Sequence, residues 1–260
     1  MTVPKRQKKR LDVLLVERGL AESRQKAQAM ILAGEVRVSG QRADKPGTMI
    51  PHDAGLELTG GAPRYVSRGG LKLEGALKEF TIHPEGRICL DAGSSTGGFT
   101  DCLLQHGAAR VYAVDVTTSQ LAWKLRQDAR VVPVEANARY LDANALAEQP
   151  TFVTVDVSFI SVAKVLPRLV AAAAPGAEFL ILVKPQFELE RGDVGRGGIV
   201  RDARLHERAI EHVRAAAISA GLEVHGVRPS RLLGAEGNQE FFLHATLPAP
   251  NSRPPGNSLG

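Results

Sequence analysis

A parallel α/β sheet with helices on both faces, preceded by a small α+β unit, is the fold class this 260-residue sequence predicts. Three observations predict it. From Ser67 onward, short apolar runs alternate with amphipathic stretches, as in a sheet whose strands are joined by helices. Seven such runs can be traced, at 87–91, 111–115, 131–134, 152–157, 178–184, 222–228 and 239–246, the last two forming a hairpin. The residues before Gly60 carry a separate pattern of two helices and short strands.

Taken in order, residues 1–9 are a basic tail and 10–59 a compact unit. Leu11, Val13, Leu14, Leu15 and Leu20 begin a helical pattern that Gly19 stops. Ser23 caps a second helix, whose Ala27, Met30 and Ile31 face inward and which Gly34 ends. Val36 and Val38 alternate with polar neighbours, a short strand into a Ser39-Gly40 turn. Lys45-Pro46-Gly47 marks a further turn, and Leu56 to Leu58 closes the unit. Gly60-Gly61-Ala62-Pro63 indicates a linker over 60–66, which places Tyr65 between the domains. The second domain, 67–247, opens with a helix at 69–80. Further helices are expected at 98–106, 118–127, 160–173 and 202–220. The tail 248–260, rich in Pro, Asn, Ser and Gly, is expected to be disordered.

Composition narrows the function classes. A hydrophobic content of 43% with 23% charged residues is that of a folded globular chain. No run approaches eighteen consecutive apolar residues, so no membrane-spanning helix is expected, and the N-terminus lacks the apolar centre of a signal peptide. Two cysteines, Cys89 and Cys102, make neither a disulfide framework nor a metal site, so a reducing cytoplasm and no metal are expected. The net charge of +5 is concentrated at one end: residues 1–60 hold eleven lysines and arginines against seven acidic residues. A basic end on a near-neutral body suggests a polyanion-binding appendage.

The stretch Arg87 to Thr100, R-I-C-L-D-A-G-S-S-T-G-G-F-T, runs from an apolar strand through a small-residue turn into a helix. Backbone can approach a ligand closely where side chains are absent. It is not G-x-G-x-x-G, and the carboxylate of Asp91 would repel a pyrophosphate but welcome an ammonium group. The next strand ends at Asp115, twenty-four residues on, where a carboxylate can accept both hydroxyls of an adenosine ribose. Four further residues are placed for chemistry: Lys72 in the helix before the first strand, Asp156 and Lys184 ending the fourth and fifth strands, and Glu240 in the last hairpin strand. Strand C-termini in such sheets converge on the ligand crevice. Read alone, Lys72 and Glu240 would be a surface pair.

These residues carry a resemblance. The segment RLDVLLVERGLAESRQKAQAMILAGEVRVSGQRADKPGTMI resembles the S4 RNA-binding domain, which implies that Arg10, Arg24, Lys26 and Arg37 face RNA phosphates. D-A-G-S-S-T-G-G-F-T is similar to the first motif of S-adenosylmethionine methyltransferases, and the strand pattern matches their seven-stranded variant of the Rossmann fold. That resemblance implies S-adenosyl-L-methionine as cofactor. Its site would comprise Asp91, Gly93, Ser94, Thr96, Gly97, Gly98 and Phe99, with Asp115 on the ribose and Asn137 beside the adenine. Lys72, Asp156, Lys184 and Glu240 resemble the tetrad of FtsJ-class ribose 2′-O-methyltransferases.

With VSRGGLKL, DAGSSTGGFTD, DVSFIS, VKPQFE, GGIVRD and GNQEF, nearly the whole chain is similar to the TlyA family of rRNA cytidine 2′-O-methyltransferases, often labelled haemolysins. The resemblance implies methylation of cytidine ribose in 16S or 23S rRNA, with ribosomal RNA or ribosomal subunits as partner. Lys184 would be the proton acceptor, Asp156 and Lys72 would set its protonation and orient the 2′-oxygen, and Glu240 would pair with a lysine. Oligomeric state stays open. The loop Arg191 to Arg201, with three arginines, could close over substrate phosphates or be a plain surface connection.

Other activities would leave marks that are missing. Amino-group methyltransferases use Pro-Pro-aromatic where this chain has Val157-Ser158-Phe159, and a 5-methylcytosine enzyme needs a cysteine near that strand end. An S4-linked pseudouridine synthase needs a His-Arg-Leu-Asp run. A membrane-active haemolysin would need apolar or strongly amphipathic membrane segments.

Overall fold

The structure, a computed structural model, describes residues 8–21, 23–59, 64–190, 192–234 and 237–249. The basic tail up to residue 7, the linker residues Gly60 to Pro63, Arg191 and the tail from 250 onward lie outside the described residues. The chain divides into two units, Met1–Arg64 and Tyr65–Gly260.

The first unit contains β1 (Lys8–Arg10), α1 (Leu11–Glu17), α2 (Arg24–Leu32), β2 (Val36–Val38), β3 (Gln41–Arg42), β4 (Met49–Pro51) and β5 (Leu56–Leu58). Ser23 caps α2 by accepting from the Lys26 amide at 3.2 Å, and Gly19 and Gly34 end the two helices in the left-handed region. Leu11, Leu14, Leu15, Ala27, Ile31 and Val36 form its core. The sequence pattern did not reveal β1, β3 or β4. The antiparallel β1–β4 pair is only three residues long, too short for an alternation signal.

The second unit contains α3 (Arg68–Phe80), β6 (Ile88–Ala92), α4 (Gly98–Gln105), β7 (Arg110–Asp115), α5 (Trp123–Arg126), β8 (Val131–Glu135), β9 (Phe152–Val155), α6 (Leu166–Ala172), β10 (Glu178–Val183), α7 (Pro185–Glu188), α8 (Ala203–Ser219), β11 (Glu223–Pro229) and β12 (Phe241–Thr246). The seven strands make one sheet in the order β11-β12-β10-β9-β6-β7-β8. β6 to β10 are parallel, while β12 runs antiparallel between β10 and β11. Strand order reverses between β6 and β9, so the crevice opens beyond their C-terminal ends.

Two expected helices are broken. Residues 118–127 form a single turn, Thr118–Gln120, and then α5, because Leu121 and Ala122 are extended and the Ala122 amide bonds the Thr96 carbonyl at 3.1 Å. Residues 160–173 form a Ser161-capped turn and then α6, with Pro167 in the first turn of that helix. Tyr65, read from sequence as interdomain, is instead 2% exposed and packs with Leu73 and Phe99 in the core of the second unit. A side chain at Gly70 would collide with its ring, so the glycine makes room for Tyr65.

Candidate active site

The turn between β6 and α4 is pinned to the neighbouring strand, the amides of Gly93 and Ser94 donating to the Val114 carbonyl at 2.9 and 3.1 Å. Gly93 has φ +88°, and a Cβ there would lie 2.4 Å from the Asp156 carbonyl oxygen, so any other residue would force the β6 and β9 ends apart. Asp115 ends β7 and reaches back to the turn, accepting from the Ser95 amide at 2.8 Å and the Thr117 amide at 3.2 Å, one on each oxygen. A carboxylate oxygen has two lone-pair sites, so each keeps an acceptor for a ligand hydroxyl.

Two cavities flank Gly93. One, of about 300 Å³, is lined by Asp115, Val116, Asn137, Val157, Ser158 and Phe159 among others. The other, of about 240 Å³, lies over the turn and is lined by Ser94, Thr96, Gly98, Phe99, Lys72 and Asp156 together with Ser67 and Arg68. Asn137 caps the turn after β8 by accepting from the Arg139 amide at 3.0 Å. The paired cavities suit an elongated ligand with a ribose at one end and positive charge at the other. They present two carboxylates: Asp115 in the first and Asp156 in the second, where Lys72 and Arg68 stand on the same wall.

Two expected ligand contacts are not in the cavities. Asp91 is fully buried behind the turn, where its carboxylate accepts from Thr100 Oγ1 at 2.7 Å and Thr154 Oγ1 at 3.1 Å. It braces β6, β9 and α4 instead of meeting solvent, because its position on a central strand points it under α4. Gly97 likewise serves packing: its φ of +93° brings the turn so close to Leu121 and Leu125 that a Cβ would overlap both.

Burial pushes the Asp91 carboxyl up to about 7, against the hydrogen bonds from the two threonines and with repulsion from Asp156. The folded chain therefore holds a proton between pH 3.8 and about 7 that the unfolded chain has lost. The stability this group contributes is full below 3.8 and declines as pH rises through that window. Melting temperatures of Asp91→Asn are expected to gain on those of the parent as pH rises from about 5 to 7.5. Parallel profiles would show that Asp91 is ionised throughout.

The four chemistry-bearing residues form two ion pairs. Lys184 Nζ lies 2.6 Å from Asp156 Oδ1 and donates to Ser158 Oγ at 2.8 Å. Lys72 Nζ lies 2.5 Å from Glu240 Oε2, joining α3 to the segment before β12. This is no surface pair: Glu240 is 3% exposed and the Lys72 side chain 11%. Gly234 admits Glu240, since a Cβ there would stand 2.5 Å from its Oε1. Asn238, fully buried, ties the preceding loop in place, accepting from the Val200 amide and donating to the Gly198 carbonyl, both at 2.8 Å.

Some site residues escaped sequence reading. Phe159 has φ +63° and is 92% exposed at the cavity edge, with its ring 5.2 Å from that of Phe187. Positive φ on an aromatic residue is a strained backbone state, and no spacing rule announces it. Ser67 and Arg68, on the cavity wall, stand in the VSRGG string but carry no chemistry by residue type alone. Cys89 and Cys102 are buried away from both cavities, and burial pushes the Cys89 thiol up to about 12, which leaves no nucleophilic cysteine at the site. Among the described residues, no group of three or more His, Cys, Asp or Glu could hold a metal, and no helix is long and apolar enough to cross a membrane.

In the first unit, Arg10 and Arg24 both bond Asp12, Lys26 is exposed on α2, and Arg37 Nη1 donates to the Gly40 carbonyl at 2.9 Å.

Comparison with known proteins gives two family matches: the FtsJ-like methyltransferase model covers residues 65–247 and the S4 domain model residues 9–54. A Mycobacterium tuberculosis (strain CDC 1551 / Oshkosh) protein, 16S/23S rRNA (cytidine-2'-O)-methyltransferase TlyA, is 49% identical, over 90% of this chain and 88% of its own. A Bacillus subtilis (strain 168) protein named as an rRNA methyltransferase, YqxC, is 51% identical, over 93% of this chain and 86% of its own. A Streptococcus thermophilus protein of solved structure, carrying a hemolysin label, is 46% identical with a TM-score of 0.73, covering 94% of this chain and 90% of that one.

Proposed function

Since the chain belongs to the FtsJ-like methyltransferase family and carries an S4 domain before its catalytic domain, we infer that it transfers a methyl group from S-adenosylmethionine to a ribose 2′-hydroxyl of ribosomal RNA. The Lys184–Asp156 pair at the ends of adjacent strands, with Asp156 lining the cavity over the glycine-rich turn, is the observation that carries this reading. The names of the relatives support cytidine as the nucleoside, in 16S or 23S rRNA, and a ribosomal RNA substrate favours the cytoplasm as the site of action.

Bound S-adenosylmethionine supplies a methyl group already activated by the sulfonium charge. The protein's tasks are to align the acceptor oxygen and to take its proton. Asp115 would hold the ribose hydroxyls of the cofactor, Asn137 and the Val157–Phe159 segment would enclose its adenine, and Ser94 to Gly98 would pass its methionine end toward Asp156. Lys184, held by Asp156 and Ser158, is the candidate to accept the 2′-hydroxyl proton once unprotonated. Lys72, committed to Glu240, would steady the acceptor from the opposite wall. Arg68 and the exposed Phe159 ring suit a phosphate and a base of the substrate strand. Arg10, Arg24, Lys26 and Arg37 would add phosphate contacts that position the RNA.

Two measurements test this reading. Incubation with ribosomal subunits and methyl-labelled S-adenosylmethionine should place label on a ribose 2′-oxygen, whereas label on a base would overturn it. Calorimetry of Asp115→Ala should show cofactor affinity lowered by roughly 1.5–3 kcal/mol, the worth of a hydrogen bond to a charged group. Unchanged affinity would remove Asp115 from the site.

A further inference from the structure

The first unit holds an arrangement that the phosphate-facing role of its arginines does not explain. Asp12, in the first turn of α1, is wholly covered, and three side chains converge on its carboxylate. Arg10 grips it with two bonds, Nε to Oδ1 at 3.0 Å and Nη2 to Oδ2 at 2.9 Å. Arg24 Nε and Gln28 Nε2, both from α2, reach Oδ2 at 2.9 and 2.8 Å, and the Val13 amide reaches Oδ1 at 3.0 Å. The Arg10 contacts above all hold this carboxyl well below the usual carboxylate range. A helix-stabilising acid needs none of those three side chains. Two guanidiniums crowded on one surface would repel each other, and a shared carboxylate offsets that repulsion while fixing where each points. Arg24 spends only Nε on the contact and Arg10 keeps Nη1 beside Gly47, so outward donors remain on side chains that are still 56% and 43% exposed.

We propose that Asp12 is a positioning residue for RNA, a carboxylate that sets Arg10 and Arg24 as one preorganised clamp for a backbone phosphate. The proposal rests on the RNA-binding reading above. It makes a prediction of unusual sign. Removing a negative charge from a polyanion-binding face should tighten binding if only net charge counts. If orientation counts, binding should weaken.

The experiment is the full chain with Asp12→Asn, titrated with ribosomal subunits over a range of salt. Affinity is expected to fall about tenfold or more, since charge-assisted phosphate contacts lose their geometry. The dependence of log affinity on log salt should flatten by about one contact. In steady state, KM for RNA should rise while kcat and S-adenosylmethionine affinity hold. Affinity equal to or tighter than the parent's would overturn the proposal. Should Asp12→Asn weaken the fold of this unit, an Arg10→Gln, Arg24→Gln background still decides, because the carboxylate there has no guanidinium to place. Adding Asp12→Asn to that background should cost no further RNA affinity, and an equal loss there would overturn the positioning role. A parent chain without salt-dependent RNA affinity would instead remove the RNA-binding reading itself.

Discussion

Lys184→Arg is expected to slow methyl transfer by about a hundredfold to ten-thousandfold, the usual range for losing a general base. Cofactor and RNA affinities should stay within a few-fold. Arginine keeps the positive charge and can still meet Asp156, but its guanidinium does not give up a proton near neutral pH. Lysine at the same point can be deprotonated and so take the hydroxyl proton. Its nitrogen is held from two sides, by Asp156 at 2.6 Å and Ser158 at 2.8 Å, and lies 5.8 Å over the Phe187 ring, so it is aimed rather than mobile. Single-turnover methylation at saturating cofactor and RNA isolates the step. Near-full turnover would reduce Lys184 to an electrostatic aid, with alignment of the 2′-oxygen as the main contribution.

Lys72→Met is expected to cost roughly 3–5 kcal/mol of stability, because it leaves the buried Glu240 carboxylate without its partner. For a chain of this size, that lowers the melting temperature by about 10 °C. A surface ion pair would cost a small fraction of this. The double variant Lys72→Met, Glu240→Leu removes both charges and should recover most of the stability, as apolar replacements of buried pairs commonly do. Methyl transfer should stay low in both variants, since Lys72 lines the cavity over the turn. Recovered activity in the double variant would make the pair a brace between α3 and the last hairpin and nothing more.

The two ion pairs show why some of this site could be read in the sequence and some could not. Asp156 and Lys184 each end an apolar run, and strand ends in a parallel sheet face one crevice, so their convergence follows from local pattern and topology. Lys72 and Glu240 stand 168 positions apart, and nothing local says that they touch or that water is excluded from them. Asp91 was recognisable as a strand-end carboxylate, but depth is a property of what packs above it, and α4 packs above it. Residues 118–127 and 160–173 have helical periodicity, yet the backbone of the first is drawn away to bond Thr96 and that of the second is capped by Ser161 and restarted near Pro167.

Periodicity, glycine placement and charge by themselves determined the two units, the succession of the seven strands in the second unit, the glycine-rich turn after the first of them and the candidate lysines and carboxylates. Each is a local consequence of which residues can adopt a conformation or face a core. Tertiary structure alone decided the strand order β11-β12-β10-β9-β6-β7-β8, the pairing of Lys72 with Glu240, the burial of Tyr65 and Asp91, and the exposure of Phe159. It also decided that Asp12 gathers two arginines. These depend on which distant surfaces meet and how much water they expel, and the strength of a charge pair or the cost of a buried carboxyl exists only after that meeting.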